Sequence, residues 1–180
     1  MAHRPSLVFL FFGRKAILSS AIAWRNLLYA PIYTQIIDAA IGWLFGWRNH
    51  NIATSQKIAA YAHLYSFASV KSVVHWFQIM RHSAFIMYDD DAISPRAPAA
   101  TSYRPARFPT RNIVTPIVLL YGDGDSLVDI GVLLRELPEH TVVKRLSGYE
   151  HLDLLWGRDV HIDIIPTVLA ALKKYYEEAM

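Results

Sequence analysis

Pro116-Ile117-Val118-Leu119-Leu120-Tyr121-Gly122 is a short, uninterrupted apolar run closed by a glycine. Such a run predicts a fully buried strand of a parallel sheet, because strands covered on both faces carry apolar side chains at every position. Downstream, Ser126 to Leu137 reads as a helix stopped by Pro138, and the β-branched, alternating stretch Thr141 to Leu146 reads as a second strand. Asp163 is placed to cap a last helix, with Pro166 in its first turn and Val168, Leu169, Leu172, Tyr175 and Tyr176 along one side. Strand, helix, strand, loop, helix is the pattern of an α/β domain. Two strands are too few for a stable open sheet, so the expected fold class is α/β with an incomplete sheet.

Upstream, two further zones are visible. Residues 1–72 are rich in apolar and aromatic side chains and read as helical. Tyr33, Ile36, Ile37, Ala40, Ile41, Leu44 and Phe45 repeat at helical spacing, and Pro31 suits the first turn of that helix. The apolar face fits either core packing or the lining of an acyl-chain groove; periodicity leaves both open. Trp43 and Trp47 flank it, and either packing or a lipid surface would use them. Residues 73–115 begin with His75-Trp76-Phe77-Gln78, pass Phe85, Tyr88 and Asp89, and enter a stretch holding Pro95, Pro98, Pro105 and Pro109. Prolines at that density disfavour a regular element. The basic residues between Arg96 and Arg111 are expected to form a solvated loop rather than an anionic-lipid contact.

Composition bounds the function. The 180-residue chain is 53% hydrophobic and 18% charged, which is enough apolar matter to fold, and its net charge of +3 is too mild to single out nucleic acid as a partner. There is no Cys, which excludes disulfides, thiol nucleophiles and Cys-based zinc sites. The apolar run Leu7 to Phe12 stops at Gly13-Arg14-Lys15, far short of the roughly 20 residues that span a bilayer, and it makes a poor signal peptide. A membrane anchor is therefore expected outside this chain or as a helix lying on the surface.

Ligands of open α/β sheets bind beyond the carboxyl ends of the strands. Two polar clusters fall there: Gly122-Asp123-Gly124-Asp125-Ser126 after the first predicted strand, and Gly148-Tyr149-Glu150-His151-Leu152-Asp153 after the second. A carboxylate after one strand and an imidazole after the next is the tail of a hydrolase triad in the chain order Ser, Asp, His. A Ser hydroxyl is a weak nucleophile until a base takes its proton, and that base must be oriented by a carboxylate. These features alone leave open that His151 is a partly exposed loop histidine and Asp125 a turn residue. A calcium loop is a competing reading of Asp123, Asp125 and Asp129. It fails because Leu127 and Val128 stand where an oxygen ligand and a Gly are needed, and Leu134 replaces the terminal Glu. The other histidines form no His-Glu-x-x-His, and His75, in its aromatic stretch, reads as a packed structural histidine. No metal or other cofactor is expected.

The motifs resemble those of the acid lipase and steryl ester hydrolase family. Gly122-Asp123-Gly124-Asp125-Ser126-Leu127-Val128-Asp129 looks like the family's Gly-x-x-Asp-x-Leu-x-Asp, whose first Asp, here Asp125, is the triad acid. Tyr149-Glu150-His151-Leu152-Asp153-Leu154-Leu155-Trp156-Gly157 looks like His-Leu-Asp-Phe/Ile-x-Trp, whose His, here His151, is the triad base. His75-Trp76-x-Gln78, with Phe85 and Tyr88-Asp89, resembles the stretch where the family's cap returns to the core. His63-Leu64-Tyr65-Ser66-Phe67, Ser72 to Gln78 and Leu127-Val128-Asp129-Ile130 lean toward the fungal steryl ester hydrolases. The resemblance implies the C-terminal part of an α/β-hydrolase fold. Residues 1–72 would then be a helical cap region, 73–115 the return to the core, and 116–180 the core carrying Asp125 and His151. It further implies lipid ester substrates, steryl esters or triacylglycerols, and association with a membrane or lipid-droplet surface.

The family's nucleophile sits in Gly-x-Ser-x-Gly, and no Ser here has Gly at that distance on both sides: Ser126 has Gly124 before it but Val128 after. The early oxyanion-hole loop is missing as well. Without them there is no route to an acyl-enzyme, so the isolated chain is expected to be inactive and poorly folded. A truncated or split reading frame is the simplest account. A non-catalytic lipid-binding or regulatory fragment is the alternative, and an unrelated α/β domain a third. Asp153, the rival carboxylate near the base, is expected to brace the His loop.

Overall fold

The computed structural model describes residues 16–17, 24–64, 68–89, 105–178 and 180. The Leu7–Phe12 run with its basic stop, residues 65–67 and the part of the Pro- and Arg-containing stretch from 90 to 104 lie outside them. Two strands, β1 (Ala16–Ile17) and β2 (Ala68–Ser69), pair antiparallel. Between them run helices α1 (Ala30–Phe45) and α2 (Thr54–Leu64), and α3 (Val70–His82) follows β2. The last third holds β3 (Val118–Gly122), α4 (Ile130–Glu136), β4 (Val142–Leu146), the short helices α5 (Asp153–Trp156) and α6 (Val160–Asp163), and α7 (Ile165–Glu178).

β3 and β4 pair in parallel from Val118 opposite Val142 to Gly122 opposite Leu146. Because parallel strands need a crossover, α4 lies between them in sequence, and both C-terminal ends reach the same edge. The result is a mixed helical arrangement with a small, open parallel sheet, consistent with part of an α/β fold. β3 departs from expectation in its burial: Val118 to Tyr121 are half-buried, and Val142 and Val143 of β4 are exposed. Each strand has a single neighbour in this sheet, so the apolar side chains find cover on fewer sides than a central strand would have. α7 buries none of its residues, and Val168, Leu169, Leu172 and Tyr176 stay exposed. Val168, Leu172 and Tyr176, with Pro116, Val118, Leu120 and Tyr175, line an open apolar trough beside β3.

α4 starts later than the sequence pattern suggests. Asp129 caps it by accepting the Val132 N–H at 3.0 Å, while Asp125 accepts the Leu127 N–H and holds residues 125–127 in a turn. Pro166 does fall in the first turn of α7, but Asp163 ends α6 and its carboxylate accepts the Tyr149 hydroxyl at 2.6 Å. Pro31 sits in the first turn of α1. That helix buries only Tyr33, Thr34, Ile37 and Ile41, whereas Ile36 and Leu44 of the predicted face are exposed. The buried stripe runs at i, i+4, i+8 and packs with Ile52, Tyr61, Trp47 and Leu152 into one core, with Leu127 and Trp156 against it. This core joins the first helices to the loops beyond β3 and β4. The two tryptophans separate: Trp47 is buried, and Trp43 is 85% exposed.

The His75 stretch is structural. His75 Nε2 lies 2.7 Å from the Ile86 carbonyl, and its ring meets Tyr88 edge-on. Gln78 clamps the backbone of Asp89 twice, donating to its carbonyl at 2.9 Å and accepting its N–H at 3.0 Å. Two antiparallel contacts, Met87 N–H to Ala106 O and Phe108 N–H to Phe85 O, carry the chain on toward β3.

Candidate active site

The candidate site forms where β3 and β4 end side by side. Three bonds stitch the two following loops together: Asp123 N–H to Leu146 O at 3.1 Å, Gly124 N–H to Tyr149 O at 3.0 Å, and Gly148 N–H to Asp123 Oδ1 at 2.7 Å. The other oxygen of Asp123 takes Nε and Nη2 of Arg145, and this guanidinium holds the Asp123 carboxyl below the usual carboxylate range. Asp123 is thereby committed to loop closure. Gly122 is required at the strand end because a Cβ there would stand 2.1 Å from the Tyr149 carbonyl oxygen.

Within this frame His151 Nδ1 lies 2.8 Å from Asp125 Oδ2, so the structure brings the two predicted residues together. A carboxylate only accepts, so Nδ1 carries the shared proton, and in the neutral ring Nε2 then keeps its lone pair. Asp125 Oδ1 accepts the Leu127 N–H at 2.8 Å, which fixes the carboxylate plane. The Asp125 side chain is 6% exposed and that of His151 is 42% exposed, so the carboxylate is shielded while the imidazole stays reachable. Both line a cavity of about 370 Å³, walled mainly by apolar residues including Val128, Leu133 and Leu154. An oriented imidazole beside an apolar cavity can accept a proton from a hydroxyl presented there. Among the described residues no group of His, Asp and Glu is arranged to hold a metal ion.

Asp153 stands apart from this pair. It is fully buried, and its Oδ2 accepts the Glu150 N–H at 2.8 Å and Asn51 Nδ2 at 2.9 Å. The same Asn51 amide reaches the Gly148 carbonyl at 2.8 Å. The second oxygen of Asp153 is buried without a hydrogen-bond partner. Burial pushes the Asp153 carboxyl above its ordinary value, against the lowering pull of the Glu150 and Asn51 donors. A carboxyl with a raised folded-state pKa binds its proton more tightly in the folded chain. Its stabilising contribution is complete below the unfolded value and is lost as pH rises through the folded one. The stability of the native chain relative to an Asp153→Asn variant is therefore expected to fall as pH rises above about 4. Urea midpoints of the two proteins across that range measure it, and parallel curves would remove Asp153 as the source.

Sequence reasoning missed three contributors, because their partners are distant along the chain. The Trp47 indole stacks on the His151 imidazole, with ring centroids 5.2 Å apart and planes at 15°. Trp47 Nε1 donates to Ser126 Oγ at 2.8 Å, and that hydroxyl donates to the Phe45 carbonyl at 2.9 Å. Glu150 accepts the backbone N–H groups of Arg48 and Asn49, the shortest at 2.7 Å. The one local signal was Gly46, which ends α1 at φ 76° and turns the chain toward the site.

Two probable lipases of Schizosaccharomyces pombe are similar to this chain. One is 42% identical over 171 residues, 95% of this chain and 39% of the relative. The other is 44% identical over 170 residues, 94% of this chain and 36% of the relative. The lysosomal acid lipase/cholesteryl ester hydrolase of Rattus norvegicus is 27% identical over 171 residues, 91% of this chain and 43% of that protein. The chain thus spans about two fifths of the length of the curated relatives it matches. No protein-family model matches it.

Proposed function

From its similarity to these lipases we propose that this chain belongs to the acid lipase family and carries the acid and the base of a serine lipid ester hydrolase whose nucleophile lies outside these 180 residues. The observation that carries the reading is the 2.8 Å contact of His151 Nδ1 with Asp125 Oδ2 at the ends of adjacent parallel strands. In this scheme Nε2 of His151 takes the proton of a Ser hydroxyl as its oxygen attacks the ester carbonyl. His151 then returns that proton to the departing alcohol, and a water repeats the sequence to free the acid. Asp125 holds the ring in the tautomer that makes this possible and stabilises the imidazolium formed midway.

The same reading assigns residues 116–180 to the C-terminal core of an α/β hydrolase and 1–72 to a helical cap, with 73–115 returning the chain to the core. The half-covered strands and the open trough between β3 and α7 support it, since such surfaces suit burial by further sheet strands. Steryl esters and triacylglycerols are the substrates assigned, on the motif resemblance. Association with a membrane or lipid-droplet surface is part of the proposal. It draws support from the outward face of α1, where Ile32, Ile36, Trp43 and Leu44 are exposed. No helix among the described residues is long and apolar enough to cross a membrane.

The test is a chimera in which this chain replaces the matched region of the 42%-identical relative. Hydrolysis of cholesteryl oleate or triolein by the monodisperse chimera is expected, with labelling of one Ser by a fluorophosphonate. A folded chimera that cleaves neither ester and takes up no label would end the hydrolase reading.

A further inference from the structure

We propose that Trp47 is a positioning residue for the base, tying the geometry of the Asp125–His151 pair to the loop that follows α1. The inference rests on the hydrolase reading and goes beyond it. One hydrogen bond at Nδ1 fixes the distance between ring and carboxylate but leaves the ring free to pivot about that bond. The His151 side chain, 42% exposed, has too little packing to prevent this by bulk alone. The indole supplies the missing constraint. It lies nearly parallel to the imidazole, is itself 5% exposed, and also stacks against Phe45 with ring centroids 4.7 Å apart.

The indole is in turn anchored to both halves of the pair. Its N–H bonds to Ser126, the residue directly after the acid. The next two backbone N–H groups bond to Glu150, the residue directly before the base. The segment 45–49 therefore brackets the acid loop and the base loop together. Asn49, whose N–H donates to Glu150, takes a φ of 50°, a conformation that Asn tolerates. A shift of α1 would move the indole, and with it the plane in which Nε2 is offered to a hydroxyl.

Two arms test this. In NMR of the folded chimera, a carbon-bound imidazole proton of His151 is expected upfield under the indole ring current, and Trp47→Leu should return it to an ordinary histidine position. An unshifted resonance in the chimera with Trp47 in place overturns the stack. In the chimera, Trp47→Leu is expected to lower kcat by about 100-fold while KM stays within about twofold, since a misplaced base impairs the chemical step more than binding. Trp47→Phe, which keeps an aromatic face without the N–H, should restore most of that loss. Equal kcat for the Leu variant and the native chimera, or a Phe variant as slow as Leu at matched stability, overturns the inference alone. A folded chimera that is inactive with Trp47 in place overturns the hydrolase reading, and the positioning role falls with it.

Discussion

Asp125→Asn in the active chimera is expected to lower kcat by about 10⁴-fold, with KM and the unfolding midpoint nearly unchanged. The Asn oxygen can still accept the Leu127 N–H that Asp125 Oδ1 accepts now, so the turn after β3 survives. What changes is the partner of His151. An amide nitrogen facing Nδ1 donates instead of accepting, which drives the imidazole to the tautomer with its proton on Nε2. That tautomer has no lone pair to offer a hydroxyl. Steady-state hydrolysis of a lipid ester measures the loss, and denaturant unfolding provides the control. His151→Ala should fall at least as far. Asp153→Asn is the discriminating comparison. Asp153 bonds to backbone and to Asn51 rather than to the imidazole, so its replacement should affect stability before turnover. A larger loss of turnover from Asp153→Asn than from Asp125→Asn, at equal stability, would transfer the role of acid to Asp153.

Gly122→Ala is expected to be among the most damaging single-methyl additions in the chain. The new Cβ would sit 2.1 Å from the Tyr149 carbonyl oxygen and 2.7 Å from its carbon. Both atoms are backbone, so no side-chain rotation relieves the clash, and the two loops must part. Parting them breaks the Gly124–Tyr149 bond and carries His151, two residues beyond Tyr149, away from Asp125. A destabilisation of about 3 kcal/mol is expected, at the upper end of the overpacking range. In the chimera, turnover should fall with it. Chemical denaturation reads the first effect directly. An unchanged midpoint would mean that β3 and the His loop do not approach as closely as described.

Much of the candidate site was legible in the chain because its parts lie directly after strand signals. The apolar run ending at Gly122 and the β-branched run ending at Leu146 located β3 and β4 within a residue or two. Parallel pairing then follows from the helix between them, and with it the placement of Asp125 and His151 at one edge. The onset of α4 was not legible. Ser126 and Asp129 both suit a helix start, and the choice between them is made by the Asp125–Leu127 turn. Nor was the true face of α1, because Ile36 and Ile37 are equally apolar and only contact with α2 and Leu152 selects one of them.

The sequence by itself determined the α/β pattern, a carboxylate and an imidazole at adjacent strand ends, and the want of a Gly-x-Ser-x-Gly among these residues. Tertiary structure alone decided which tryptophan packs and which is exposed, that Asp123 and Asp153 serve the loops, and that Trp47 and Glu150 bracket His151. The physical reason is range. Strand, helix and turn signals arise from neighbours a few residues apart. A contact such as Trp47 with His151 joins segments that are distant in the chain, and nothing in local composition encodes which distant surfaces will meet.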